Sequence, residues 1–182
     1  KKDYIFTYDP LNRLTISNYT EFNNGIPSWG EAGKYNENYT YDANGNIRTV
    51  KRSGLVMDGS GYIGLIDSMK YVYYNNNRSN RLWSVGDATV DIVGRGDFSE
   101  ASSYNGYATQ EYTYDNNGNL AYDRNKGLRI LTCNYLNLPT AFYLVYTGSF
   151  TYNAVGEKIQ SVTKPGSVTE TNDYVGPFVY KN

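Results

Sequence analysis

Tyr39-Thr40-Tyr41-Asp42-Ala43-Asn44-Gly45-Asn46-Ile47 returns further along the chain as Tyr112-Thr113-Tyr114-Asp115-Asn116-Asn117-Gly118-Asn119-Leu120. Weaker copies stand at Phe6-Thr7-Tyr8-Asp9-Pro10-Leu11-Asn12-Arg13-Leu14, at Tyr71-Val72-Tyr73-Tyr74, and at Phe150-Thr151-Tyr152-Asn153-Ala154-Val155-Gly156-Glu157. A supersecondary unit that recurs this often belongs to an array whose copies stack on one another, not to a fold built around one active site.

Each copy reads as a β-hairpin. Tyr39 and Tyr41 are two apart and share one face of a strand. Asp42-Ala43-Asn44-Gly45 has the residues of a type I turn, with Asp favoured at the first position and Gly at the last, where positive φ closes a bulge. The Asp42 carboxylate can accept backbone N–H groups two residues on. From Asn46 the chain returns through Ile47 to Val50, and Asp115, Gly118 and Asn119 repeat the same chemistry. A lone hairpin is marginal in water, so successive hairpins must join edge to edge. Copies are expected near Tyr8, Tyr41, Tyr73, Tyr114, Tyr135 and Tyr152, with Gly-, Ser- and Asn-rich insertions near 21–34, 53–67 and 87–108. The expectation is one array over 1–182, with no helix and no internal domain boundary.

Composition agrees. The 182 residues include 21 Tyr, 18 Gly, 6 Phe, 2 Met and no His. Aromatic and β-branched residues suit half-buried pleated surfaces, and Asn and Gly suit tight turns. Tyr in place of Phe and Leu leaves each large ring with a hydroxyl that seeks water or a partner, which suits thin layers near solvent. A net charge of −1 with interspersed signs is no footprint for nucleic acid. One cysteine, Cys133, forms no internal disulfide; its apolar strand pattern reads as a small buried hydrophobe. No run of about 18 apolar residues spans a membrane. The start, Lys1-Lys2-Asp3, carries neither initiator Met nor signal core, as expected for a piece of a longer protein.

The phrase Tyr-Asp-x-x-Gly-Asn-Leu/Ile resembles the signature of the YD, or RHS (rearrangement hotspot), repeats. Asn80-Arg81-Leu82, Asn125-Lys126-Gly127-Leu128, Asn134-Tyr135-Leu136-Asn137-Leu138-Pro139 and the tail from Tyr174 to Asn182 are similar to phrases of Bacteroidetes RHS proteins. The resemblance implies a twisted, curling sheet of stacked antiparallel hairpins that forms part of a spiral shell. It implies a secreted or cell-surface bacterial protein whose shell encloses or presents a C-terminal, toxin-like effector. This stretch would lie just upstream of the RHS-associated core, and its partners would be the other repeats and the effector. Unpaired edges on the end hairpins would invite self-association. Two copies depart from the pattern: 74–80 loses the Asp and Gly of the turn, and Asn153 replaces the Asp.

Catalysis finds no support. Without His there is no Ser-His-Asp or Cys-His arrangement, and Asp9, Asp42 and Asp115 sit where turns need them. Asp42-x-Asn44-x-Asn46 offers alternate oxygen ligands, but the Gly falls at the fourth position and the bidentate Glu of a calcium loop is missing. No metal, cofactor or catalytic residue is expected. The rival to a scaffold is a carbohydrate- or protein-binding adhesive module, because sugars lie on aromatic faces and binding residues concentrate on loops. Trp29, Tyr62, Tyr104 and Tyr107, all in insertions, are the candidate ligand-binding residues; Trp83 reads as packed. The alternating motif tyrosines read as sheet core. Three Asn-x-Ser/Thr triplets (Asn18, Asn38, Asn77) are chance matches in an Asn-rich chain.

Overall fold

The computed structural model describes residues 1–23, 28–30, 34–56, 62–89, 98–99 and 109–182. It is almost all β, and its contacts gather into two compact units, Lys1–Thr109 and Gln110–Asn182.

The first unit holds β1 (Lys2–Tyr8), β2 (Leu14–Asn23), β3 (Ser28–Gly30), β4 (Glu37–Tyr41), β5 (Ile47–Leu55), β6 (Ile63–Tyr73) and β7 (Leu82–Asp87). They form an antiparallel sheet in the order β1-β2-β4-β5-β6-β7, with β3 also on β2. The second unit holds β8 (Tyr112–Tyr114), β9 (Leu120–Asp123), β10 (Leu128–Cys133), β11 (Pro139–Tyr143), β12 (Thr147–Tyr152), β13 (Lys158–Lys164), β14 (Glu170–Val175) and β15 (Phe178–Lys181). These run as a meander in which each strand pairs with its sequence neighbours. The expected hairpins are therefore present, and a register shift falls just before the turn in each motif copy: Thr7/Tyr8, Thr40/Tyr41, Thr113/Tyr114 and Thr151/Tyr152.

Several expectations shift. The copy placed near Tyr135 turns at Asn134, so Cys133 holds the motif-tyrosine place and Tyr135 sits exposed within the turn. The 53–67 insertion is mostly strand, because β5 and β6 stay paired from Thr49↔Lys70 to Leu55↔Ile63. In the 21–34 insertion, β2 runs on to Asn23 and β3 pairs Trp29 with Phe22. The 87–108 insertion lies largely outside the described residues. Tyr74–Asn77 is a helical turn, but Asn75, Asn76 and Asn77 have φ of 55, 55 and 65, a left-handed backbone that Asn tolerates.

Apolar burial is concentrated in the first unit. Among the described residues the buried hydrophobic side chains are Tyr19, Val50, Ile66, Met69, Tyr73 and Val85, which belong to β2, β5, β6 and β7. Of the motif tyrosines, Tyr73 is core, whereas Tyr41, Tyr114 and Tyr152 are half-buried and Tyr8 is 53 % exposed. Cys133, too, is only half-buried.

Candidate functional site

The repeated residues build one turn five times, beginning at Asp9, Asp42, Asp115, Asn134 and Asn153. In each, the first residue's N–H donates to the carbonyl of the fifth at 2.9 Å. The fourth residue's N–H donates back to the first carbonyl at 2.9–3.1 Å. The side-chain oxygen of the first residue accepts the N–H groups of the third and fifth: for Asp42 these are Asn44 and Asn46, both at 2.9 Å. Asp115 accepts from Asn117 and Asn119 at 2.9 and 2.8 Å. Asn153 does the same with Val155 and Glu157 at 3.1 and 2.9 Å, so the Asn substitution preserves the turn. The fourth residue carries positive φ throughout: Asn12 at 61, Gly45 and Gly118 at 89, Asn137 at 59 and Gly156 at 88. The Tyr73–Tyr74 copy is the exception. Its left-handed asparagines replace the motif, with Asn77 Oδ1 accepting from the Tyr73 N–H.

In four of the five turns the side chains of the first and fifth residues are complementary in polarity; in the turn that begins at Asn134 the fifth residue is the apolar Leu138. Asp9 Oδ2 meets Arg13 Nε at 2.7 Å. Asp42 Oδ2 and Asp115 Oδ2 each accept from the Nδ2 of Asn46 and Asn119 at 2.9 Å. In the last copy the sense reverses, because Asn153 Nδ2 donates to Glu157 Oε2 at 2.6 Å. Electrostatics follows the bonding. The Asn46 and Asn119 side-chain amides, with backbone N–H groups behind them, hold the Asp42 and Asp115 carboxyls below their ordinary value. The Arg13 N–H does the same for Asp9.

The fifth residue also reaches the next hairpin. Arg13 Nη1 donates to the Asp42 carbonyl at 2.9 Å, Asn46 Nδ2 to Asn80 Oδ1 at 3.0 Å, and Asn119 Nδ2 to Asn137 Oδ1 at 3.0 Å. The motif tyrosine reaches the other way, to the carbonyl that opens the preceding return strand. Tyr41 Oη donates to Leu14, Tyr73 Oη to Ile47 and Tyr152 Oη to Pro139, at 2.7, 2.8 and 3.0 Å. Within each unit the turns thus form a ladder of side-chain bonds along one end of the sheet. Tyr, Asp, Gly and Asn of the repeated phrase each have a structural duty in it.

Of the candidate ligand-binding residues, Tyr62 is the one whose side chain is described. Tyr62 is 60 % exposed beside Gly64. Trp29 is placed by its strand pairing alone, and Tyr104 and Tyr107 lie outside the described residues. Trp83 is half-buried against a hollow beside the left-handed asparagines. A different cleft, of about 430 Å³, opens on the first unit between the exposed rings of Tyr4 and Tyr35, with Glu37, Arg52 and Ile66 among its lining. Glu37 Oε2 accepts from Tyr39 Oη at 2.7 Å; burial, then this bond, pushes the Tyr39 hydroxyl up to about 12. Arg52 Nε is anchored on Asp67 Oδ2 at 2.5 Å, and Asp67 is completely buried in β6. This cleft was not visible in the sequence, because β1, the turn before β4, and β4, β5 and β6 supply its residues and no local pattern marks them. No group of three or more His, Cys, Asp or Glu side chains that could hold a metal occurs among the described residues.

Compared with known proteins, the chain matches no family model and no curated protein.

Proposed function

We propose that this chain is an architectural module: a strip of RHS/YD-type hairpins forming part of the β-wall of a large secreted or cell-surface bacterial protein, which encloses or presents a C-terminal, toxin-like effector. The observation that carries the reading is the turn ladder. Every recurrent residue is spent on closing a hairpin or tying it to its neighbour, which is the economy of a repeat array and not of a site. The many exposed large apolar side chains, Ile5, Phe6, Leu11, Phe178 and Tyr180 among them, suit a sheet that is completed by further protein. The test is limited proteolysis of the full-length protein. An effector region that resists cleavage in the wild type and is cut in an Asp42→Ala, Asp115→Ala variant is expected; equal sensitivity in both removes the reading.

A second reading, an adhesive module for carbohydrate or protein, has the Tyr4–Tyr35 cleft in its favour: two exposed aromatic rings flank an ion-paired guanidinium and a carboxylate, a lining suited to a polar ligand with apolar faces. A glycan array read with wild type and Tyr35→Ala decides it. A saturable signal lost in the variant supports adhesion, and silence from folded protein counts against it.

A further inference from the structure

We propose that the hollow between Trp83 and the left-handed asparagines binds an uncharged pyranose sugar, with the indole as its platform and the Asn75 and Asn76 amides as its hydrogen-bonding wall. The inference goes beyond the wall reading and uses none of the residues of the Tyr4–Tyr35 cleft.

The site occupies the place where the chain departs from its own repeat, and it departs twice. The other copies close their turns with Asp or Asn first and one positive-φ residue fourth. Here three consecutive residues, Asn75, Asn76 and Asn77, take φ of 55, 55 and 65. Such a run is disfavoured for L-residues and persists only where its surroundings hold it. Four hydrogen bonds do so. Tyr74 N–H donates to the Arg81 carbonyl at 3.0 Å, and Arg78 and Ser79 N–H to the Asn75 and Tyr74 carbonyls at 3.2 Å. Tyr73 N–H donates to Asn77 Oδ1 at 2.8 Å. Asn75 and Asn76 are thus exposed on a fixed backbone, and their side-chain amides have no hydrogen-bond partner among the described residues. The second departure is Trp83 itself. Val72 pairs with Ser84 and Tyr73 with Leu82, so Trp83 is the extra residue of a bulge. The same place in the other copies holds Thr15, Arg48, Ala121, Thr140 and Ile159, none of them aromatic.

The lining sets the ligand class. The hollow is about 430 Å³, within the roughly 300–1,000 Å³ of small-ligand sites. Val72, Tyr74 and Trp83 give it apolar and aromatic surface, and the three asparagines give it amides. No Asp, Glu, Lys or Arg lines it, so a charged ligand would lose water there without gaining a counter-charge. An amide offers both donors and an acceptor, which is what a row of sugar hydroxyls requires, while the C–H face of a pyranose lies flat on an indole ring. The Trp83 indole N–H has no partner among the described residues and adds a further donor. A proline-rich strand also stacks on an indole, but it brings carbonyl acceptors alone and leaves the amide oxygens without a donor.

Tryptophan fluorescence of a Trp29→Phe protein, in which Trp83 is the one remaining indole, tests this. The probes are the methyl β-glycosides of glucose, galactose and N-acetylglucosamine, set against glucuronate and a decaproline peptide. At least one uncharged glycoside is expected to shift the emission saturably, and glucuronate to bind more weakly. Asn75→Gly with Asn76→Gly removes both amides and keeps a residue at home in the left-handed region. Its circular dichroism spectrum should be unchanged and its affinity about tenfold lower or more, the scale of one or two net hydrogen bonds. No saturable response to any uncharged glycoside, an undiminished response in the glycine variant, tighter binding of glucuronate, or saturation by decaproline alone would each overturn the proposal. Such a failure leaves the wall reading untouched, since that reading stands or falls on protection of the effector, and the Tyr4–Tyr35 cleft is decided separately by Tyr35→Ala.

Discussion

At the scale of single residues, the five turns are a natural substitution series. The fourth position is Gly or Asn because φ is positive there, and a Cβ on an ordinary side chain is disfavoured in that region. Gly118→Ala should therefore cost about 1 kcal/mol, whereas Gly118→Asn should cost less, since Asn12 and Asn137 already hold the place; urea melts of the two variants check the order. The first and fifth positions predict a coupled pair. Asn153→Asp sets a second carboxylate against Glu157 and should destabilise by about 0.5 kcal/mol, the scale of an exposed pair. Adding Glu157→Asn recreates the Asp115–Asn119 arrangement and should recover that loss, which a double-mutant cycle measures as a non-additive term. Equal, additive losses would show that these side chains do not sense each other. The acids carry a pH signature. Asp9, Asp42 and Asp115 have carboxyls held below their ordinary value of 3.8. Their contribution is complete above that value and is lost as pH falls through the lowered folded-state value. Stability should accordingly be flat from neutral pH to about 5 and decline below about 4. In a variant with Asn at positions 42 and 115 the decline should be shallower, as acid-titration melts would show.

At the scale of the hairpin, the bond that joins one element to the next is the hydroxyl of the motif tyrosine. Tyr41→Phe keeps the ring, which lies under the Arg13 guanidinium at 4.7 Å, and removes only the donor to the Leu14 carbonyl. About 1 kcal/mol is the expected loss in chemical denaturation; no loss would mean that water replaces the bond at no cost. Sequence reading recovers these elements well where the signal is local. Asp42 and Gly45 specify a turn within a few residues, so the hairpins were legible. It misplaces the copy at Asn134, because Cys133 and Asn137 stand where the motif has Tyr and Gly, yet the same backbone forms. It also reads the alternating tyrosines as sheet core, which holds for Tyr73 and only in part for Tyr41, Tyr114 and Tyr152. Period-two alternation reports that one face differs from the other, but not how much protein covers that face. The Arg52–Asp67 pair and the cleft beside it depend on register between β5 and β6, and no sequence window contains that information.

At the scale of the whole molecule, an array held by nearest-neighbour contacts has stability that varies along its length. β5 and β6 each have a strand on both sides and carry Val50, Ile66 and Met69, which are buried. Among the described residues β1 and β15 have one neighbouring strand each, and every residue in them is exposed. Among the described residues, the buried apolar side chains all lie in the first unit; in the second, the buried residues are the polar Glu111, Asp123 and Ser161. Hydrophobic burial is the dominant favourable term in folding, at roughly 25 cal/mol per Å² of apolar surface. A sheet that holds its hairpins mainly through ladder hydrogen bonds and half-buried rings should open more readily. Native-state hydrogen exchange should therefore show a gradient, with the slowest amides in β5 and β6, intermediate ones in β10 to β14, and the fastest in β1 and β15. Slowest exchange in β12 and β13 would instead locate the most stable packing in the second unit, against the distribution of buried side chains.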